Sequence, residues 1–156
     1  MSKGPEAKLW LALKKALEKH HPEVQASRIE NRSGGGIPDV DISGPISCDI
    51  ELKTPTKLVY DTFKKNAIMP GIINKKQMLL CNRSILRPSQ RAFFCLAMHK
   101  GAAVFVLARP KNCNKISLLK PIKHENHLWL QEICKSDDWS EILAALFEAV
   151  LLSKKY

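Results

Sequence analysis

The chain has 156 residues, 45% of them hydrophobic and 26% charged, a balance that suits one globular domain and excludes a disordered or fibrous chain. Lysine and arginine number 25 against 15 aspartate and glutamate, a formal net charge of +10, which favours a polyanionic partner, nucleic acid first, over an anionic membrane. No apolar run approaches a membrane span and the opening MSKGPEAKLW lacks a signal-type apolar stretch, so a cytoplasmic location is expected.

Pro5 suits the first position of a helix, and Leu9, Leu13 and Leu17 then recur at helical spacing with Trp10 and Ala16. His20-His21-Pro22 ends that helix; the two histidines fit a solvated C-terminal turn better than a metal site. Residues 26–32 read as a strand, the glycines at 34–36 as a loop and residues 37–42 as a second strand. Gly44-Pro45 makes a turn into a third strand over 48–54, and connections this short imply an antiparallel meander. Residues 55–84 show no clear period and are rich in lysine, with Tyr60 and Phe63 among the cations.

Pro88 and Ser89 start a helix that runs through Phe93, Leu96 and Ala97, and Gly101 suits its C-terminal cap. Residues 103–108 are almost wholly apolar, the mark of a strand buried on both faces. Residues 116–119 fit a short edge strand. Asp138 caps a last helix, with Glu141 completing a capping box and Trp139, Ile142, Leu143, Leu146, Phe147, Val150 and Leu151 on its apolar face. The order predicts an α/β fold, a small mixed sheet flanked by helices, in one domain over 1–156 with 110–156 as an extension packed on it.

Five cysteines are scattered with no C-x-x-C pair, which fits reduced thiols better than a disulfide framework. Cys113, His124, His127 and Cys134 match no compact zinc spacing.

The chemistry concentrates in GGGIPDVDISGPISCDIELKT, residues 34–54. Side chains alternate along a strand, so Asp49, Glu51 and Lys53 share one face while Ile50 and Leu52 take the other; Asp39 and Asp41 share a face of the preceding strand in the same way. If the two faces coincide, the acids repel one another, and a hard divalent cation with oxygen ligands resolves the conflict. A meander with one wet face alternates too. The Gly-rich approach, the basic chain and a preceding helix carrying Glu6 tip the balance towards a site.

The stretch IPDVDISGPISCDIELKT resembles the PD-(D/E)-x-K motif of metal-dependent nucleases, with Asp39 at the motif's aspartate, Glu51 at its second acid and Lys53 at its lysine. Glu6 looks like the additional acid of the archaeal Holliday junction resolvases. RPSQRAFFCLAMHKGAAVFVLA is similar to the Gln-helix-Gly-strand segment of the VRR-NUC branch, with Gln90 at the glutamine. The interval from Thr54 to Gln90 is longer than in compact members, which leaves Gln77 as the alternative, and nothing after Pro110 resembles the family.

The resemblance implies a restriction-endonuclease-like core and phosphodiester hydrolysis that leaves a 5′-phosphate. It implies Mg²⁺ or Mn²⁺ on Asp39, Glu51 and the Leu52 carbonyl, with Glu6 near a second ion or a water, and no organic cofactor. Lys53 would act on the attacking water or on phosphate charge, and Gln90 would position the water or the lysine. Asp41 and Asp49 lie off the motif. Arg28, Arg32, Lys57, Lys64, Lys65, Lys75 and Lys76 flank the acids in sequence and are candidates for DNA phosphate contacts. The leading expectation is an endonuclease for branched DNA, such as a four-way junction, acting as a homodimer because paired cuts need two-fold symmetry. Of the apolar face of the last helix, Trp139, Leu143, Leu146, Phe147 and Val150 fit core better than the subunit interface that such a dimer would need. A flap or replication-repair nuclease, a non-catalytic DNA-binding protein on the same fold, and a basic interaction module without nucleic acid are the alternatives.

Overall fold

A computed structural model describes residues 4–29, 38–58, 78–80, 85–124 and 126–153. The elements are α1 (Pro5–His20), β1 (Gln25–Arg28), β2 (Val40–Ser43), β3 (Cys48–Lys53), β4 (Met78–Leu80), α2 (Pro88–His99), β5 (Val104–Ala108), β6 (Ile116–His124), β7 (His127–Ser136) and α3 (Trp139–Ser153). The strands form one mixed sheet in the order β1-β2-β3-β5-β6-β7-β4. Among the described residues only β3 and β5 run parallel; the other pairs are antiparallel. A parallel neighbour needs a long crossover, and α2 lies on the connection from β3 to β5. The α/β class, with a mixed sheet flanked by helices, is as the sequence predicts. Helix, three strands, the short β4, helix and strand follow in chain order.

The strand alternation sorts the core into two layers. On one face Val40, Ile42, Ile50, Leu52, Phe105, Leu107, Ile116 and Leu118 pack with Leu9, Leu13 and Leu17 of α1 and Ile142, Leu143, Leu146 and Val150 of α3. On the other face Val104, Val106, Ala108, Leu119, Leu128 and Leu130 pack with Phe94 and Ala97 of α2. α2 covers β5 and β6, and among the described residues no buried apolar cluster covers the β2–β3 end of that face. The odd positions of β2 and β3 are turned to that end.

Two glycines carry the turns that this arrangement needs. Gly44, between β2 and β3, has φ +128°, and a Cβ there would stand 3.0 Å from the Glu23 carbonyl oxygen. Gly101 follows α2 with φ +77°, the left-handed cap expected there.

Several expectations change. β6 is no short edge strand: it runs from Ile116 to His124 and sits between β5 and β7. β7, ten residues long, and the short β4 were not anticipated. The capping box at α3 is replaced by a relay. Asp138 Oδ1 accepts from the Ser140 N–H at 2.9 Å, as a cap should, but the Asp138 N–H goes to Ser136 Oγ at 3.0 Å, and that hydroxyl donates to Glu141 Oε2 at 2.6 Å. Ser136 has taken the bond that the box would have made. Leu143, Leu146 and Val150 are buried within one chain, with Trp139 and Phe147 half-buried against them, so this face serves the monomer's core. His21 stacks on Phe147 with ring centroids 4.0 Å apart and lies 3.6 Å from Glu23. Cys48, Cys95, Cys113 and Cys134 are free thiols. Among the described residues no group of three or more His, Cys, Asp or Glu is arranged to hold a metal, and no helix is long and apolar enough to cross a membrane.

Candidate active site

The faces of the two acidic strands coincide. In the β2–β3 ladder Asp41 stands directly opposite Asp49 and Val40 opposite Ile50. Val40 and Ile50 point into the α1–α3 core, so the acids point to the α2 side. One step further along, β2 has ended and Asp39 faces the last residues of β3.

That ending places Asp39. In a strand, a residue's N–H and C=O point to the same side. At Leu52 the β2 partner has run out, and Asp39 Oδ2 takes the Leu52 N–H at 2.8 Å in place of a ladder carbonyl. The Leu52 carbonyl leaves β3 on that same side, next to the Asp39 carboxylate.

Glu51 is 2% exposed. Its Oε1 accepts a hydrogen bond from Gln90 Nε2 at 2.6 Å and lies 3.4 Å from Lys53 Nζ. Its Oε2 is buried with no hydrogen-bond partner among the described residues. The Gln90 amide is fixed from its other end, because its Oε1 accepts from the Arg87 N–H at 2.9 Å, the capping-box bond of α2. The helix cap and the contact to Glu51 therefore use the two ends of one side chain, and the sequence pattern around Pro88 places it.

Burial and charge work against ionisation here. Glu51 is pushed up from 4.5 to about 8, first by burial and then by the Asp39 carboxylate, against the opposing pull of the Lys53 ammonium. Asp49 is raised to about 6, by burial and then by Asp41 opposite it. The same acids, after its own burial, push the Cys48 thiol up to about 12. Among the described residues one ammonium does not balance this strip.

A divalent cation fits the donor set. Glu51 Oε2 is a buried oxygen that lacks a partner among the described residues, Asp39 keeps an oxygen not used by Leu52, and strand geometry turns the Leu52 carbonyl to the Asp39 side. These are hard oxygen donors, the type that Mg²⁺ and Mn²⁺ prefer, with the remaining positions left to water and substrate. Two carboxylates form the set, and no third acid completes it among the described residues. Glu6 lies in the first turn of α1, on the opposite side of the sheet; among the described residues no hydrogen bond or ion pair links it to Asp39, Glu51 or Lys53.

Arg28 and Lys57 are exposed, whereas Arg32, Lys64, Lys65, Lys75, Lys76 and the alternative Gln77 lie outside the described residues. A further buried acid went unread in the sequence. Glu132, 5% exposed, accepts a hydrogen bond from Ser117 Oγ at 2.7 Å. The register runs Glu51, Val106, Leu119, Glu132 across four strands, which puts Glu132 on the same face as Glu51.

No family model and no curated protein matches the chain. Among solved structures it is similar to Hjc of Archaeoglobus fulgidus, a Holliday junction resolvase from an archaeal hyperthermophile, at 17% sequence identity and a TM-score of 0.48, over 93% of this chain and 97% of that one.

Proposed function

We propose that the chain is a divalent-metal-dependent nuclease that hydrolyses phosphodiester bonds in DNA, with Asp39, Glu51, Lys53 and Gln90 as its working residues. The observation that carries this reading is the buried Glu51: one oxygen is held by Gln90 and Lys53 and the other is left without a partner beside Asp39. A fold that only needed a wet strand would not bury an acid in this state. An unpartnered buried polar atom in a native site calls for a specific reason, and an absent ion is one.

Asp39, Glu51 and the Leu52 carbonyl would hold Mg²⁺ or Mn²⁺, which supplies Lewis-acid polarisation of the scissile phosphate. The protein's own residues do the rest. Leu52 fixes one Asp39 oxygen and Gln90 fixes one Glu51 oxygen, so neither carboxylate must reorganise when substrate arrives. Gln90 acts through Glu51 and is a positioning residue. The Lys53 ammonium stands where negative charge gathers on the phosphate during attack and stabilises it there. Duplex positioning falls to exposed cations, for which Arg28 and Lys57 are placed at the surface. The sequence carries no base-reading motif, and recognition of DNA shape, with a four-way junction cut by a two-fold dimer, is the form that we favour.

The test is cleavage of labelled four-way junction, flap and linear duplex DNA with Mg²⁺, with Mn²⁺ and with EDTA. Cleavage should require metal and should vanish in Glu51→Gln, while DNA binding persists. Metal-independent cutting, or an undiminished rate in Glu51→Gln, overturns the proposal.

A further inference from the structure

A second cluster of charged side chains lies beside the acids, around the end of β3. A cleft of about 670 Å³ opens between the start of α1, Thr54 and the loop that follows β5. Lys8, Arg109 and Lys111 are on its wall, and among the described residues no carboxylate lines it. Among the described residues none of the three cations forms an ion pair. The volume falls in the range of ligand sites and exceeds what one phosphate group occupies.

The cations are held in place by backbone hydrogen bonds. The Arg109 N–H donates to the Lys53 carbonyl at 2.9 Å, and the Lys111 N–H donates to the Pro55 carbonyl at 2.8 Å. The Cys113 N–H closes the turn on the Pro110 carbonyl at 3.2 Å, and Asn112 takes a left-handed φ of 61° to allow it. The loop is thus tied to the chain that leaves Lys53. Ala108 is the register partner of Lys53 and shares its face, so Arg109, the next residue, belongs to the opposite face, where α1 begins. The cleft and the acids therefore meet at the carboxyl ends of the two parallel strands, where open α/β sheets bind ligands.

We infer that this cleft is a phosphate-binding channel for the nucleic-acid strand, holding backbone phosphates next to the one that faces Glu51 and Lys53. The inference rests on the nuclease reading for the identity of its ligand. The occupant is a polyanionic strand rather than a single anion, because the volume exceeds what one phosphate fills, three cations line it, and Thr54, the residue after Lys53, is on its wall. Arg109 is half-buried and stays put, and its guanidinium suits two phosphate oxygens at once. Lys8 and Lys111 are exposed and add point charges along the path.

The test uses the full chain and a fluorescein-labelled linear duplex, in EDTA so that binding is read without cleavage. A Lys8→Gln, Lys111→Gln double variant removes two exposed cations without touching the core. Arg109→Gln is made separately. Lys100→Gln, at the exposed end of α2 and the opposite end of β5, is the control. The double variant should bind about tenfold more weakly, and the slope of log affinity against log salt should fall by about two, one per lost phosphate contact. Arg109→Gln should act in the same direction, and Lys100→Gln should leave both quantities unchanged. Unchanged affinity and slope in the double variant overturns the channel, and so does an equal loss in Lys100→Gln. A parent that binds DNA but never cuts refutes the nuclease reading, while the binding comparison still decides whether the cleft carries the strand. A parent that does not bind DNA overturns both.

Discussion

Glu51→Gln should stabilise the metal-free protein at alkaline pH even as it abolishes cleavage. The folded chain holds the Glu51 proton up to about 8, whereas an unfolded chain releases it near 4.5. Between those values the folded state binds more protons, so stability falls as pH rises through the window. Below it the group contributes nothing, and above it the whole penalty is present. At roughly 1.4 kcal/mol per pH unit, the gap from 4.5 to about 8 amounts to at most about 5 kcal/mol. Local relaxation and water entry reduce this, so a few kcal/mol and on the order of ten degrees in Tm are the expected scale. Asp49, raised to about 6, acts in the same direction at lower pH and remains in the variant. The difference between parent and variant therefore isolates Glu51. A glutamine keeps an oxygen for Gln90 Nε2 and removes the charge. Circular-dichroism melts in EDTA should show the variant gaining on the parent from about pH 5 to about pH 8, across the window set by the raised Glu51. Added Mg²⁺ should stabilise the parent, most at high pH where the carboxylate is free to bind it, and should not stabilise the variant. Parallel pH profiles for the two proteins would refute the account, since they would mean that Glu51 carries no buried-charge penalty.

Lys53→Ala should lower the single-turnover rate by about a hundredfold or more, because it removes a charge that stabilises the transition state; calorimetric Mg²⁺ affinity should hold or rise, since an ammonium opposes a cation. Gln90→Ala should weaken Mg²⁺ binding by roughly tenfold, as loss of a residue that orients a ligand does; melts should also show about 1 kcal/mol lost with the α2 cap. Light scattering and gel binding should give a dimer that holds a four-way junction far better than a linear duplex of the same sequence. A monomer that prefers flaps would favour the repair-nuclease alternative.

The acidic face was legible because the period of a strand is two: once residues 48–54 read as a strand, Asp49, Glu51 and Lys53 had to share a side. The register that sets Asp41 against Asp49 follows from the short turn at Gly44. The hairpin of β6 and β7 was not legible, for identifiable reasons. Pro121 argues against an interior strand, since proline cannot donate to a ladder. In the structure β6 pairs with β5 only as far as Leu119, so Pro121 lies beyond that ladder and is opposed only by Leu130 of β7. The register also slips between Leu118 and Leu119, which turns Cys134 and Glu132 to successive positions of the partner and blurs the alternation in β7. Ser136 displaced the expected capping box through a short loop contact that pattern alone does not carry. The cations of residues 59–77 are beyond the described residues, so the structure places only Arg28 and Lys57 of that proposed surface.

Asp39 offers the sharpest separation between holding the fold and performing the chemistry. The end of β2 leaves the Leu52 N–H without a strand partner, and Asp39 Oδ2 satisfies it at 2.8 Å. Leu52 itself is 0% exposed, so this donor has no easy route to water. Asp39→Asn keeps an amide oxygen for that bond and removes the charge. Asp39→Ala removes both, and an orphaned buried N–H costs about 1–3 kcal/mol. The loss is partly offset, because either change relieves the repulsion that raises Glu51, whose pKa should fall in both variants. The asparagine variant should therefore melt at or above the parent in EDTA, and the alanine variant below the asparagine variant. Neither should cut DNA, since each lacks a carboxylate that the cation needs. If Asp39→Ala matched Asp39→Asn in stability, the bond to Leu52 would not be what places the carboxylate. If Asp39→Asn retained cleavage, the carboxylate would have no part in the chemistry.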